Sequence, residues 1–143
     1  MNLSITTAIK TDKKSLMRFY KQQHYSAGLL GFDNVYVIKR EEEIIAAVIL
    51  SALEKDNPQL FLHGLVVDKK CHLQGLASQL LQYALGTHST KSIICFASVD
   101  LYALYQQNGF VLSDEKQLLT PLLSRYLQYK KTNNALLVFH HKK

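Results

Sequence analysis

Residues 62–81 read LHGLVVDKKCHLQGLASQLL. The stretch opens as an apolar strand carrying one histidine. It closes as a helix, because Leu73, Leu76, Ala77, Leu80, Leu81, Ala84 and Leu85 recur at spacings of three and four. Gly75 and Ala77 lie at the corner between the two. A strand that feeds a helix through so short a corner places the chain among folds in which helices cover a sheet. The corner itself has two readings. Gly and Ala can serve close helix–strand packing. Alternatively, the unpaired N–H groups of a helix start can hold a phosphate that small residues allow to come near.

The rest of the chain alternates in the same way. Residues 3–9, LSITTAI, read as a strand. Thr11 or Asp12 can cap a helix over about 13–25 whose apolar face is Leu16, Met17, Phe19 and Tyr20. The break at 26–34 is expected to hold a short second helix. Residues 35–40 and 44–53 flank a triple glutamate and read as a hairpin, followed by a turn at 55–58 and a strand at 59–67. Gly86 is the expected C-cap of the helix after the corner. Further expectations are a strand at 92–98, a helix at 100–108 ended by Gly109, and a strand at 110–113. Thr120 as N-cap with Pro121 at the first helical position starts a helix to about Lys131, and 135–141 form the last strand. The order β-α-β-β-β-α-β-α-β-α-β predicts a mixed α/β (α+β) sheet with helices on both faces. At 143 residues, with no linker or repeat, one domain is expected over 1–143.

Composition excludes several classes. A 48% hydrophobic, 20% charged chain is globular rather than disordered. Its apolar runs are too short for a membrane span and its start has no signal-peptide core, so a cytoplasmic protein with no membrane partner is expected. Cys71 and Cys95 make neither a disulfide framework nor a zinc spacing, and no metal is expected. The net charge of +6 is spread in modest pairs, with no arginine-rich arm, which argues for a solvated surface and against a nucleic-acid partner.

Two local motifs give a resemblance. His72-Leu73-Gln74-Gly75-Leu76-Ala77 is similar to the Arg/Gln-x-x-Gly-x-Gly/Ala loop of the GNAT superfamily of acyl-CoA-dependent N-acetyltransferases, and Tyr105-Gln-Gln-Asn-Gly109-Phe110 resembles its Tyr-x-x-x-Gly-Phe signature. The resemblance covers about residues 1–113 and resumes at the last strand. It implies a mostly antiparallel sheet of six to seven strands. It also implies acetyl-CoA as co-substrate, its diphosphate held by the loop at His72, Gln74, Gly75, Leu76, Ala77 and Ser78. The backbone of Leu65, Val66 and Val67 is implied to pair with the pantetheine arm. The sequence departs from the family at His72, where Arg or Gln is usual, at Ser98 and Leu101, and in carrying a helix near 121–131.

Acetyl transfer to an amine needs a base and an acid. His63 has an ordinary pKa near 6.5 and is free to accept a proton at neutral pH. Its setting LHGLVV resembles LHALAV of serotonin N-acetyltransferases, where a histidine serves in proton removal; a satisfied core histidine is the competing reading. Glu54 is a weaker candidate. Tyr105, protonated at neutral pH, can donate to the leaving thiolate. In relatives the tyrosine of the signature lies near the coenzyme sulfur. Tyr102 and Asn108 read as structural, Cys71 as a surface thiol and Cys95 as core. The family's acceptor site implies residues 22–34, with His24, Tyr25, Phe32 and Asp33, and 116–134, with Arg125, Tyr126 and Tyr129. The apolar face of the second segment, Leu118 to Leu127, can cover the core or meet a second copy in a homodimer. The expected function is N-acetyl transfer in a ternary complex to a small-molecule or peptide amine, with a non-catalytic acyl-CoA-binding regulatory module as the alternative.

Overall fold

Nine consecutive residues, Ile44–Ala52, are all buried. A strand this uniformly buried is covered on both faces, and the fold is built around it. The computed structural model describes residues 3–26, 28, 32–56, 58–72, 75–87 and 92–141. Their elements run β1 (Leu3–Thr7), α1 (Lys13–Gln22), β2 (Phe32–Arg40), β3 (Glu43–Ala52), β4 (Gln59–Val67), α2 (Leu76–Gly86), β5 (Ser92–Ala97), α3 (Tyr102–Gln107), β6 (Val111–Ser113), α4 (Thr120–Lys130) and β7 (Leu137–His141). The sheet order is β1-β2-β3-β4-β5-β7-β6. The β4–β5 pair is parallel and the other pairs are antiparallel. None of the described helices is long and apolar enough to cross a membrane.

The β2–β3 hairpin turns on Glu41 and Glu42 alone, since Arg40 already faces Glu43. Both turn residues have positive φ, 50° and 72°, the signs that match the twist of a two-residue hairpin.

Each face has its own cover. On one, Leu76, Leu80, Leu81, Ala84 and Leu85 of α2, with Tyr105 of α3, pack on Tyr36, Ile38, Val48, Leu50, Leu60 and Leu62. On the other, α1 and α4 form two separate clusters. Leu16, Phe19 and Tyr20 lie on Val35, Val37, Ala47 and Ile49. Leu118, Leu122 and Tyr126 lie on Phe61, Ile94 and Val138. This face is therefore covered in two patches, α1 over β2 and β3 and α4 over β4, β5 and β7.

Some expectations need correction. Residues 32–34 open β2 rather than close a second helix, and residues 27 and 29–31 lie outside those described. The helix expected to reach 25 stops at Gln22, because His24 takes a left-handed φ of 59°. Gly86 is inside α2, and Thr87 caps it. Thr120 is the first residue of α4 and Leu119 its cap. The strands expected at 3–9 and 135–141 are shorter, ending at Thr7 and starting at Leu137.

Candidate active site

The parallel pairing of β4 with β5 covers Gln59–Phe61 against Ser92–Ile94. From there β4 runs on to Val67 and β5 to Ala97, and the two strands part. A bulge lies at this point. Ile49 faces His63 and Ala47 faces Val66, so Val48 alone opposes Gly64 and Leu65. Gly64 takes φ +65°, a conformation glycine adopts freely. The extra residue resets the alternation of faces. Leu60 and Leu62 belong to the α2 cluster, and beyond the bulge Leu65 and Val67 pack there instead. Val66 packs toward α1.

The end of α1 holds this bulge. Tyr25 N–H bonds the Tyr20 carbonyl and His24 N–H the Lys21 carbonyl, the paired bonds of a Schellman cap. The cap brings the rings of Tyr20 and Tyr25 to 5.4 Å. The Tyr20 hydroxyl donates to the Gly64 carbonyl at 2.7 Å, and the Tyr25 hydroxyl also hydrogen-bonds the Gly64 backbone. Tyr20→Phe removes a buried donor and strands a carbonyl. It is expected to cost about 1–3 kcal/mol, read as a lower midpoint in urea unfolding.

Two cavities meet where the strands part. The first, about 540 Å³, is walled by Tyr25, His63, Gly64, Phe96, Tyr105 and Tyr129 among others. The second, about 340 Å³, is walled by Cys71, His72, Gly75, Ala77, Ser78 and Leu104 among others. Leu65 and Leu101 line both. One groove thus runs from the face between α1 and α4, past the splayed strands, to the start of α2.

At the α2 end, Gly75 is the N-cap with φ +72°, and a Cβ there would meet nothing within 4 Å beyond its own chain neighbours. The amides of Leu76, Ala77 and Ser78 belong to the first turn, whose N–H groups have no partner inside the helix. Ser78 Oγ accepts from Asn108 Nδ2 at 3.1 Å, which leaves its own hydrogen to donate. Asn108 also meets Gln82 at 2.7 Å and Leu104 O at 2.8 Å, so it ties α3 to α2. The His72 ring bonds Val67 O through Nε2 at 2.9 Å. A carbonyl only accepts, so that nitrogen carries the hydrogen, and a neutral His72 has a lone pair rather than an N–H at Nδ1. Gln74 lies outside the described residues. Cys71 is buried, not a surface thiol: the short turn Lys69–Cys71 leaves both lysines exposed and turns the cysteine under α2.

Tyr105 is buried on α3. Phe110 N–H bonds the Tyr105 carbonyl at 3.0 Å and Gly109 N–H the Gln106 carbonyl at 3.1 Å. Tyr105 and Phe110 rings are 5.3 Å apart. The signature Tyr-x-x-x-Gly-Phe is thus a Schellman cap, with Gly109 at φ +88° in its left-handed position. The Tyr105 hydroxyl hydrogen-bonds Cys95, and burial drives both groups far above their ordinary pKa. Tyr105 is a protonated phenol at any ordinary pH. Tyr102 packs on Phe139 at 6.0 Å.

His63 stacks on Phe61 at 4.8 Å. Its Nε2 lies 2.8 Å from Ser51 Oγ, and the Ser51 hydroxyl donates to Asp33 Oδ1. Burial lowers the His63 pKa to about 4; the Asp33 charge opposes this and the Arg125 charge adds to it. The imidazole is neutral at pH 7. The Arg125 guanidinium bonds the Tyr129 hydroxyl at 3.1 Å. Glu54 is exposed in the turn after β3, and the buried face of α4 covers core.

A family model described as an acetyltransferase (GNAT) domain matches residues 31–112. The chain belongs to the GNAT acetyltransferase family. No curated protein matches it. Among solved structures, an acyl-CoA N-acyltransferase from Pseudomonas aeruginosa aligns at 17% identity and TM-score 0.72 over 98% of this chain and 99% of that one. A spermidine N-acetyltransferase from Vibrio cholerae aligns at 12% identity and TM-score 0.69 over 97% and 94%. N-acetylglutamate synthase from Neisseria gonorrhoeae, complexed with coenzyme A and N-acetyl-glutamate, aligns at 11% and 0.72 over 99% of this chain, which spans only 35% of the synthase. At these identities the likeness is one of fold. It bears out the expected GNAT-type architecture, a mostly antiparallel seven-stranded sheet among the described residues.

Sequence reasoning missed the bulge and Ser51. An isolated glycine inside a strand was the available signal for the first. A lone serine in an otherwise apolar strand was the signal for the second.

Proposed function

We propose that this GNAT chain moves an acetyl group from acetyl-CoA to a primary amine by direct transfer in a ternary complex. The splay between β4 and β5 carries the reading. It joins a helix start suited to a diphosphate with an aromatic cavity holding a neutral histidine, so two substrates can meet without a covalent enzyme intermediate.

In this reading the amides of Gly75, Leu76, Ala77 and Ser78, with Gln74, hold the diphosphate at the positive end of α2. Backbone groups of Leu65, Val66 and Val67 pair with the pantetheine arm. His72 adds an N–H toward an anion only when its ring is protonated, since its Nε2 hydrogen is already given to Val67 O. His63 takes a proton from the acceptor ammonium, the free amine adds to the thioester carbonyl, and the C–S bond breaks. Tyr105 gives the departing thiolate its proton, exchanging its bond with Cys95 for one with the coenzyme sulfur, and the second proton that the amine nitrogen sheds on becoming an amide restores the phenol. The acceptor enters between Tyr25 and Tyr129. Relatives of this fold are named for acceptors as different as spermidine and glutamate, so the acceptor class here is a primary amine, small or peptidic.

The test is release of free thiol from acetyl-CoA across a panel of mono-, di- and polyamines, amino acids and peptide N-termini. Thiol release stimulated by at least one amine is expected. Tight coenzyme A binding with no stimulation by any amine would replace the reading with that of an acyl-CoA-binding regulatory module. Tyr105→Phe is expected to lower kcat about hundredfold with the coenzyme A Kd unchanged. An unchanged kcat would remove Tyr105 from the chemistry.

A further inference from the structure

Resting on the acetyl-transfer reading, we propose that Asp33 and Ser51 act as positioning residues that fix His63 in one tautomer, with Nδ1 as the nitrogen that takes the acceptor's proton.

The three residues come from three neighbouring strands. Asp33 of β2 and Ser51 of β3 are cross-strand partners. Ser51 in turn faces Phe61 of β4, and His63 follows two residues later on the same side, its ring stacked on Phe61. The Ser51 side chain is fully buried, so its hydroxyl must satisfy itself within the protein. It has a single hydrogen to give. A carboxylate is an acceptor only, so that hydrogen goes to Asp33 Oδ1. Ser51 Oγ then has only lone pairs to offer His63, and the 2.8 Å contact requires the hydrogen on Nε2. In the neutral ring the remaining nitrogen, Nδ1, holds the lone pair. One buried hydroxyl between an acid and an imidazole therefore decides which ring nitrogen is the base.

The charge of Asp33 has a second effect. It favours the protonated ring, which forms when the acceptor ammonium gives up its proton. The groups around His63 act in opposite directions: Asp33 from β2 supports the imidazolium, while Arg125 from α4 opposes it. Tyr25 and Tyr129 line the same cavity. The proton balance is simple. The ammonium N–H bond breaks, an Nδ1–H bond forms, and the imidazolium later returns its proton to solvent.

The experiment combines imidazole ¹⁵N spectra of the full chain with steady-state kinetics. In the wild type at pH 7, His63 should show a protonated Nε2 and an unprotonated Nδ1. Ser51→Ala should replace this with a mixture of tautomers and lower kcat about tenfold, with KM for acetyl-CoA unchanged. Ser51→Thr should restore both. Asp33→Asn, which keeps the shape, should lower the His63 pKa further, and Arg125→Gln should raise it. A wild-type ring protonated at Nδ1, or Ser51→Ala and Asp33→Asn variants with wild-type spectra and kcat, would overturn the assignment while turnover by the wild type left the acetyl-transfer reading standing. The expected tautomer without turnover of any amine would overturn both.

Discussion

Gly75→Glu is expected to raise the Kd for coenzyme A at least about hundredfold while leaving the protein folded, measured by calorimetric titration. The side chain has room, since a Cβ at this position meets nothing within 4 Å beyond its own chain neighbours. A carboxylate at a helix N-terminus also interacts favourably with the helix dipole. The local cost is the left-handed φ of +72°, about 1–2 kcal/mol for a residue with a Cβ, partly offset by that interaction. Against a diphosphate the same features are adverse. The carboxylate occupies the approach to the α2 amides and repels the ligand's charge, and a loss of about 3 kcal/mol corresponds to the hundredfold change. Gly75→Asn provides the control. Asparagine tolerates the left-handed region and adds no charge, so it should bind more tightly than the glutamate variant. Wild-type coenzyme A affinity in Gly75→Glu would sink the diphosphate assignment at α2.

How far these features were legible depends on how local they are. The Tyr105–Phe110 cap is six consecutive residues whose spacing is its geometry, so the motif could be read directly. The corner at Gly75 was equally visible, because a left-handed N-cap favours a glycine next to a helical repeat. The relay from Asp33 through Ser51 to His63 was not visible. Its members are 18 and 12 residues apart, and only the strand register brings them together. Sheet order had the same difficulty: placing β7 between β5 and β6 requires non-local pairing that no window of sequence encodes. Cys71 misled for a local reason, because two lysines before it suggested exposure while a turn of three residues reversed its direction. The face-resetting bulge was hidden for a different one. β4 is apolar on both sides, so its residues show no alternation whose phase could be seen to slip.

That bulge also carries the largest expected effect on the fold, through Gly64→Val. A Cβ at Gly64 would sit 3.1 Å from the Tyr20 hydroxyl oxygen and 3.2 Å from Ile49 Cδ1. Tyr20 and Ile49 are both buried in the α1 cluster and have little room to withdraw. A β-branched residue at φ +65° adds about 1–3 kcal/mol of backbone strain, and displacing Tyr20 from the Gly64 carbonyl adds about another 1–3 kcal/mol. Together these reach several kcal/mol against the roughly 5–15 kcal/mol that holds a domain of this size. The chain can escape only by giving up the extra residue. That would turn Leu65 and Val67 toward α1 and Val66 toward α2, and would rotate the backbone edge facing the splay. Loss of coenzyme A binding should therefore accompany loss of stability. The milder Gly64→Ala should remain folded at low temperature yet bind coenzyme A more weakly. Urea unfolding and calorimetric titration of both variants separate the two effects. A Gly64→Val protein with wild-type unfolding midpoint and wild-type coenzyme A affinity would mean that neither the bulge nor the two tyrosines gathered on it position the groove.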